Sequence, residues 1–418
     1  MNSSIDFACP KCQVTTKISQ EIDFISFGCP ECQTVFTKNK DDKFECLKKQ
    51  QYTFHDSILP VGAKASFKNL RYEIIGIIVK KTGGIYYWRE YTLKSVSSDD
   101  YLYLSESNGH WILLEEDNSL TGMNQQESVF TDSNDITYDK YGTTSAEIVG
   151  AYGFFDIKIP QQNTKVLEYI NPPYIISREN INGVYTYYKG VHIASSAIKE
   201  AFGVSDLPFK SGVGIVQPYF FNLYQTAIIF CATLLIILIS HKVMNLERSD
   251  KEVLNEVLSF SEFKNKEYLS PSFNLQGTSA PLRIDLSTPI SNSWAYAGVS
   301  VVNEDTNEEI FAEKDIEYYS GVEDGESWSE GSPSENFYIC GLGPGRYHLS
   351  ISLSKEELSY NTNAISVKAR WESASNWNFG FIVITMLVIF GIIALGKRLF
   401  EKSRWSDSDY SPYETDTY

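Results

Sequence analysis

The chain has 418 residues, enough for two or three domains. Its 27 Tyr and 24 Phe against 4 Met favour strands over helices, and a hydrophobic share of 43% supplies ordinary packed cores. The formal net charge of −17 works against general nucleic-acid binding, because an acidic surface repels phosphate backbones.

The acidity is uneven. Residues 1–219 hold 21 basic and 26 acidic groups, and residues 241–375 hold 11 basic and 22 acidic groups. Of the seven cysteines, four form two Cys-x-x-Cys pairs, while Cys46, Cys231 and Cys340 stand apart. That pattern points to reduced thiols rather than a secreted disulfide framework. The first residues, Met1-Asn2-Ser3-Ser4-Ile5-Asp6, have neither a basic n-region nor an apolar run, so no cleavable signal peptide is expected.

Residues 1–45 carry the strongest motif, Cys9-Pro10-Lys11-Cys12 and Cys29-Pro30-Glu31-Cys32, with sixteen residues between the pairs. That spacing suits a four-cysteine zinc ribbon. Each pair forms a knuckle, the prolines stiffen the turns, and Gly28 gives the second knuckle room to bend. Cys9, Cys12, Cys29 and Cys32 would complete a tetrahedron, so the zinc is expected to be structural, with no open position for substrate. A pair of redox motifs would need a βαβ context that is missing here.

Residues 46–57 read as a polar linker. Strand patterns follow from residue 58 to about 210: Lys64–Phe67, Tyr72–Val79, Tyr86–Leu93, Tyr101–Leu104, His110–Leu114, Thr144–Tyr152, Phe154–Ile159 and Tyr185–Lys189. A polar insert spans Glu115 to about Asp135, and Ile193–Phe202 reads as a helix stopped by Gly203.

Two stretches are apolar enough to cross a bilayer. Ala227–Ile239, extended back to Phe220, gives a span over 220–240; Phe379–Leu395 gives one over 378–396, flanked by Trp377 and by Lys397-Arg398. Near the span ends, five Lys/Arg on one side (Lys210, Lys397, Arg398, Lys402, Arg404) match five on the other (Lys242, Arg248, Lys251, Lys368, Arg370). Orientation therefore rests on the long intervening loop, which translocates largely regardless of charge, and on the thiolate ligands, which favour a reducing compartment. Both put the termini in the cytoplasm. Between the spans, Ser249–Tyr268 has near-helical spacing and reads as a stalk, while alternation through residues 273–370 reads as a β-sandwich, the outer domain running over 246–372. Residues 397–418 read as a disordered tail.

No enzyme signature is visible. The five histidines are scattered, and there is no Gly-x-Ser-x-Gly, HExxH or phosphate loop, so no catalytic residue is assigned. In Asn108-Gly109-His110-Trp111 the expectation is Trp in the core and His on the rim. Cys46 reads as a spare thiol and Cys231 as a small apolar residue in the first span. Cys340 reads as buried rather than bridged.

The middle segment resembles the DUF4178 family of bacterial proteins. The resemblance rests on an ordered set: Val61-Gly62-Ala63, Tyr72-Glu73-Ile74-Ile75-Gly76, Trp88-Arg89-Glu90-Tyr91-Thr92-Leu93 and Gly109-His110-Trp111. The set continues through Ala146-Glu147-Ile148-Val149-Gly150, Gly153-Phe154-Phe155, Tyr169-Ile170-Asn171-Pro172-Pro173-Tyr174 and Gly190-Val191-His192. It covers about 60–205, often follows a zinc ribbon in the family, and implies a β-rich module with no defined catalytic residues. The expected fold class is therefore mostly β: a zinc ribbon, a β-rich DUF4178-like module, two transmembrane helices and an inserted β-sandwich. The expected function is a non-catalytic membrane adaptor or sensor of the bacterial inner membrane, in envelope stress or membrane homeostasis, with the membrane and protein partners in a membrane complex. Two alternatives stay open. One is a membrane-bound enzyme using Glu73, Glu90, His110 or Glu147; the other is a structural subunit. Oligomeric state and ligand are open.

Overall fold

The computed structural model describes residues 4–50, 58–121, 123, 126–159, 163–181, 183–246, 250–357, 362–372 and 376–413. It divides into two units, Met1–Asn222 with Ile393–Tyr418, and Leu223–Ile392. Three helices occur among these residues: α1 (Ser195–Phe202), α2 (Leu223–Met244) and α3 (Trp377–Arg404), the last turns of α3 belonging to the first unit.

The N-terminal part of the first unit is two hairpins. The first joins β1 (Ile5–Ala8) to β2 (Thr15–Ile18), and the second is β3 (Ser26–Gly28), β4 (Thr34–Lys38) and β5 (Phe44–Lys49) in antiparallel order. β5 thus runs into the stretch expected to be linker, and residues 51–57 lie outside the described residues.

Next come β6 (Lys64–Phe67), β7 (Leu70–Thr82), β8 (Tyr86–Ser95), β9 (Tyr101–Ser107), β10 (His110–Glu116), β11 (Val129–Thr131), β12 (Thr137–Phe155), β13 (Thr164–Asn171), β14 (Tyr174–Ile181) and β15 (Val184–Ile193). Eight of them close a ring in the order β12-β13-β14-β15-β10-β9-β8-β7, and β7 pairs back onto β12. The strands alternate, one face in and one out. On the outer face, Tyr72, Ile77, Val79, Tyr91, Leu104 and Trp111 are buried beneath Leu59 and the α1 residue Ile198. Helix α1 ends where the sequence indicates, at Gly203 with φ of 66°.

The ribbon is not a separate bead on a linker. Its β3 adds to the end of β12, pairing Gly28 with Gly153 and Phe27 with Phe154. Gly28 is needed there for close approach, since a Cβ would lie 1.9 Å from the Ala151 carbonyl oxygen. Gly153 has φ of +93°, and its Cβ would meet the Ile75 carbonyl at 2.3 Å. The Gln50 side chain donates to the Ala151 carbonyl at 2.7 Å and accepts from the Ala151 N–H. Ser19 donates through its N–H and its hydroxyl to the buried Glu73 carboxylate, at 3.0 and 2.7 Å. Phe154 inserts among Phe7, Phe24 and Phe27 with ring centroids 4.8–6.0 Å apart.

In the second unit, α2 and the first part of α3 are apolar all round. No residue of α2 is buried, and Phe230 meets Phe390 edge to face at 6.4 Å. Between them lie β16 (Lys251–Ser259), β17 (Tyr268–Leu269), β18 (Phe273–Leu275), β19 (Ala280–Ser287), β20 (Ser293–Asn303), β21 (Glu309–Glu323), β22 (Glu326–Gly331), β23 (Ser334–Leu342), β24 (Gly345–Lys355) and β25 (Ala364–Trp371). One sheet runs β16-β25-β19-β23 and the other β17-β24-β20-β21-β22, with β18 on β24; Leu282, Ile284, Val299, Ile351 and Val367 fill the space between. The helical stalk is replaced by β16. Its buried Leu254 and Leu258 are four apart, a spacing that fits one face of a strand as well as a helix, and Val257 is exposed. Cys340 is exposed rather than buried, because it lies on the outward face of β23.

The tail also differs from expectation. Helix α3 continues past residue 396 to Arg404, and residues 405–413 pack on the first unit. A hydrophilic sequence can be ordered by a few buried anchors, here Arg404 and Trp405.

The ribbon and barrel share one aromatic core through Phe154. Its replacement in Phe154→Ala is expected to cost about 3–5 kcal/mol of unfolding free energy in urea denaturation. It is also expected to speed removal of bound metal by a chelator.

Candidate functional site

Two constellations in the first unit have chemical potential. The first is the pair of knuckles. Cys9 and Cys12 lie in the β1–β2 turn, and Cys29 and Cys32 in the β3–β4 turn. The two turns are built alike. The first Cys N–H bonds forward to the carbonyl of Val14 or Thr34 at 3.0 Å, and its own carbonyl accepts from Gln13 or Gln33 at 3.0 Å. Gln13 and Gln33 both take left-handed φ, 66° and 53°. Backbone N–H groups of Lys11 and Cys32 point at the Sγ atoms of Cys9 and Cys29, each at 3.5 Å. Such contacts stabilise thiolates. The Sγ atoms are 3.6 Å apart in the Cys9–Cys32 and Cys12–Cys29 pairs, and all four lie within 4.8 Å of one another. Four thiolates at about 2.3 Å from a tetrahedral ion stand roughly 3.8 Å apart. The four cysteines can therefore hold one metal ion, and the donor set is compatible with zinc.

The second constellation lies inside the barrel. Lys80 on β7 pairs with Glu90 on the adjacent β8 at 2.7 Å, and with Glu179 on β14. In the ring β14 is separated from β7 by β12 and β13, so the Lys80–Glu179 pair bridges the interior. Burial opposes the Lys80 charge, but the Glu179 and Glu90 carboxylates outweigh it and hold the ammonium protonated above its ordinary range. Glu168 on β13 points into the same space. Its pKa is raised to about 7 by burial and by the charges of Glu90 and Glu179, with Lys80 opposing. Tyr103 on β9 and Tyr188 on β15 meet edge to face at 5.1 Å, and burial pushes both phenols up. Glu90 keeps 27% and Glu179 12% of its side-chain surface although both face inward.

One mouth of this barrel is stoppered. Trp405 packs on Ile170, Ile175 and Val216. The Arg404 guanidinium, 2% exposed as a residue, donates to the carbonyls of Gly214 and Ile215 at 2.9 Å, to that of Gln217, and to Glu401 at 2.8 Å. Tyr141 donates to the Arg404 carbonyl at 3.0 Å, and Glu168 is among the charges that raise its phenol, after burial. The stopper thus stands next to the polar interior.

The residues named for an enzymatic alternative are dispersed. Glu73 joins Ser19 of the ribbon. Glu90 alone faces the interior. His110 is buried rather than on the rim, its Nε2 against the Ser211 carbonyl at 3.2 Å, while Trp111 is in the core as expected. Glu147 is exposed opposite Lys81. Sequence reasoning missed Lys80, Glu168, Glu179, Tyr103, Tyr188 and Arg404. A signal existed for Lys80 and Glu168: each is a charge in a strand beside buried apolar neighbours.

An eight-stranded barrel with a polar interior, a four-cysteine cluster able to hold a metal ion built onto its edge and two long apolar helices define the class of protein. The model of the family described as "Domain of unknown function (DUF4178)" matches residues 60–195, which supports placing the barrel segment in that domain family. No curated protein matches the chain. Among solved structures, an insecticidal delta-endotoxin from Bacillus thuringiensis is similar at a TM-score of 0.18 and 6% identity, over 73% of this chain and 53% of the toxin. The infectious bursal disease virus Gt strain structure is similar at a TM-score of 0.17 and 10% identity, over 83% of this chain and 66% of the viral one. The chain spans about half the length of the toxin, and likenesses at these scores define neither fold nor activity.

Glu168 binds its proton more tightly folded than unfolded. The stability this proton linkage adds is fully present below about pH 4.5, the ordinary value, and is lost as pH rises through about 7. Across that window the native protein is expected to lose about 3 kcal/mol that Glu168→Gln does not lose. Chemical denaturation at pH 5 and pH 8 for both proteins measures the difference.

Proposed function

We propose that the chain is a zinc-stabilised sensor or adaptor of the bacterial inner membrane. In this reading α2 and α3 cross the bilayer, the β-sandwich lies outside, and the ribbon and barrel lie in the cytoplasm, where they engage protein partners in a membrane complex. The role is non-catalytic and belongs to membrane homeostasis or envelope stress. The observation that carries the reading is the stopper: the apolar helix α3 ends in Arg404 and Trp405, both buried in the barrel mouth. A helix fixed in this way transmits a displacement to the barrel, because buried hydrogen bonds to a guanidinium resist stretching. Support for the membrane comes from the two helices, which have 18-residue windows of mean hydropathy 2.2 and 2.7 and expose their apolar side chains.

Protease added to intact spheroplasts is expected to cut within 246–372 and to spare the ribbon and barrel. Digestion of the ribbon with survival of the sandwich would invert the orientation and remove the outer-sensor reading. For the metal, elemental analysis of purified protein is expected to find one zinc per chain, held by Cys9, Cys12, Cys29 and Cys32. Cys12→Ser is expected to lose it, with release of the ribbon from β12 detected by limited proteolysis. A metal-free wild-type protein would end the zinc assignment.

A further inference from the structure

The barrel interior contains polar groups that the protein itself leaves unused. Lys80 is consumed by Glu90 and Glu179. Glu168, Tyr103 and Tyr188 make no side-chain hydrogen bond among the described residues. Glu168 keeps intermediate exposure, as do both tyrosines. Among the described residues none of the three is a fully buried polar group lacking a partner, so the acid and the two phenols keep accessible polar surface that a ligand can meet. Small residues leave that space: Ser177 stands opposite both Glu168 and Tyr188, and Ser105 lies opposite Glu90.

Charge selects the occupant. With Glu168 ionised, three carboxylates face one ammonium, so the interior is short of positive charge. A metal ion fits poorly, because Lys80 already fills the space between Glu90 and Glu179, and among the described residues the carboxylates do not gather into a metal-ligating group. An anion would meet three carboxylates. A compact organic cation meets an acid to receive its N–H groups, two phenol oxygens to accept further bonds, and the faces of two aromatic rings.

We propose that the barrel interior binds a small organic cation bearing a primary ammonium group, with Glu168 as its counter-ion and Tyr103 and Tyr188 as its cradle. Glu116 and Asp156 add negative potential near Tyr103. The binding site stands on the barrel alone; its service as a sensor input rests on the function proposed above, through Tyr141, which is bonded to Arg404 and feels the Glu168 charge.

The groups facing the ligand are Lys80 from β7, Glu90 from β8, Tyr103 from β9, Tyr141 from β12, Glu168 from β13, Glu179 from β14 and Tyr188 from β15; Glu116, at the end of β10, is exposed. Of these, Glu168 is the one whose proton the ligand must displace near neutrality. The full-length protein in detergent is titrated calorimetrically with n-butylammonium, and with butyrate as the anionic control, at pH 6 and pH 8. Binding of n-butylammonium but not butyrate is expected, about tenfold weaker at pH 6 because only the ionised fraction of Glu168 is competent. Glu168→Gln, of nearly the same shape, is expected to weaken binding at least tenfold and to abolish the pH dependence. Tyr188→Phe, which keeps the ring, is expected to weaken it severalfold. Preference for butyrate, equal affinity in wild type and Glu168→Gln, or no heat from n-butylammonium up to about 10 mM with a folded barrel each overturns the proposal. Failure here leaves the spheroplast result untouched, and an inverted orientation leaves the calorimetry untouched.

Discussion

Everything in the first unit depends on how β12 is paired. One strand of nineteen residues runs alongside β11 and β13 at its start, β7 in its second half and β3 at its end. It closes the barrel and anchors the metal ribbon at once. The constraint is steric: neighbouring chains approach the Gly28 and Gly153 region so closely that a single methyl group at either position would collide with a carbonyl. The register shift between Ile148 and Gly150 keeps Ile148 facing the interior and Tyr152 facing the outer core. A small four-cysteine ribbon, poor in apolar residues, thereby borrows a core from the barrel through Phe154.

The interior charges are the opposite kind of feature. Burying an ammonium and three carboxylates costs free energy that the pairing of Lys80 only partly returns. Replacing a buried ion pair by well-packed apolar residues is often neutral or stabilising. The outer face of the same strands, filled with Tyr, Ile, Leu and Trp, supplies the stability that the interior gives up. In this barrel the outer face of the wall carries the apolar core and the inner face carries the charges.

The sequence was informative where a local rule applies. Two Cys-x-x-Cys pairs announce their geometry, apolar stretches of bilayer length announce their helices, and the β-branched run Tyr72–Val79 or the alternation in Trp294–Val301 announces strands. It was silent where the outcome depends on partners distant along the chain. Lys80 and Glu179 are 99 residues apart, and Arg404 meets Gly214 across 190. The polar tail looked unstructured because its composition is that of a loop, and nothing local says that one arginine finds three carbonyls. The spacing of Leu254 and Leu258 failed for another reason. Four residues is close to one helical turn and also two strand repeats, so only the pairing of β16 with β25 decides.

The stopper also sets an order of events during synthesis. Tyr141 and Arg404 are separated by 263 residues, and Trp405 completes an apolar cluster begun at Ile112 and Leu114. The ring of strands can pair as soon as β15 has left the ribosome, but its mouth stays unsealed while more than two hundred further residues, including both apolar helices and the whole sandwich, are still being made. A nascent barrel therefore waits with Ile170, Ile175 and Val216 uncovered, a surface open to chaperones. Sealing can follow only once α3 has been made.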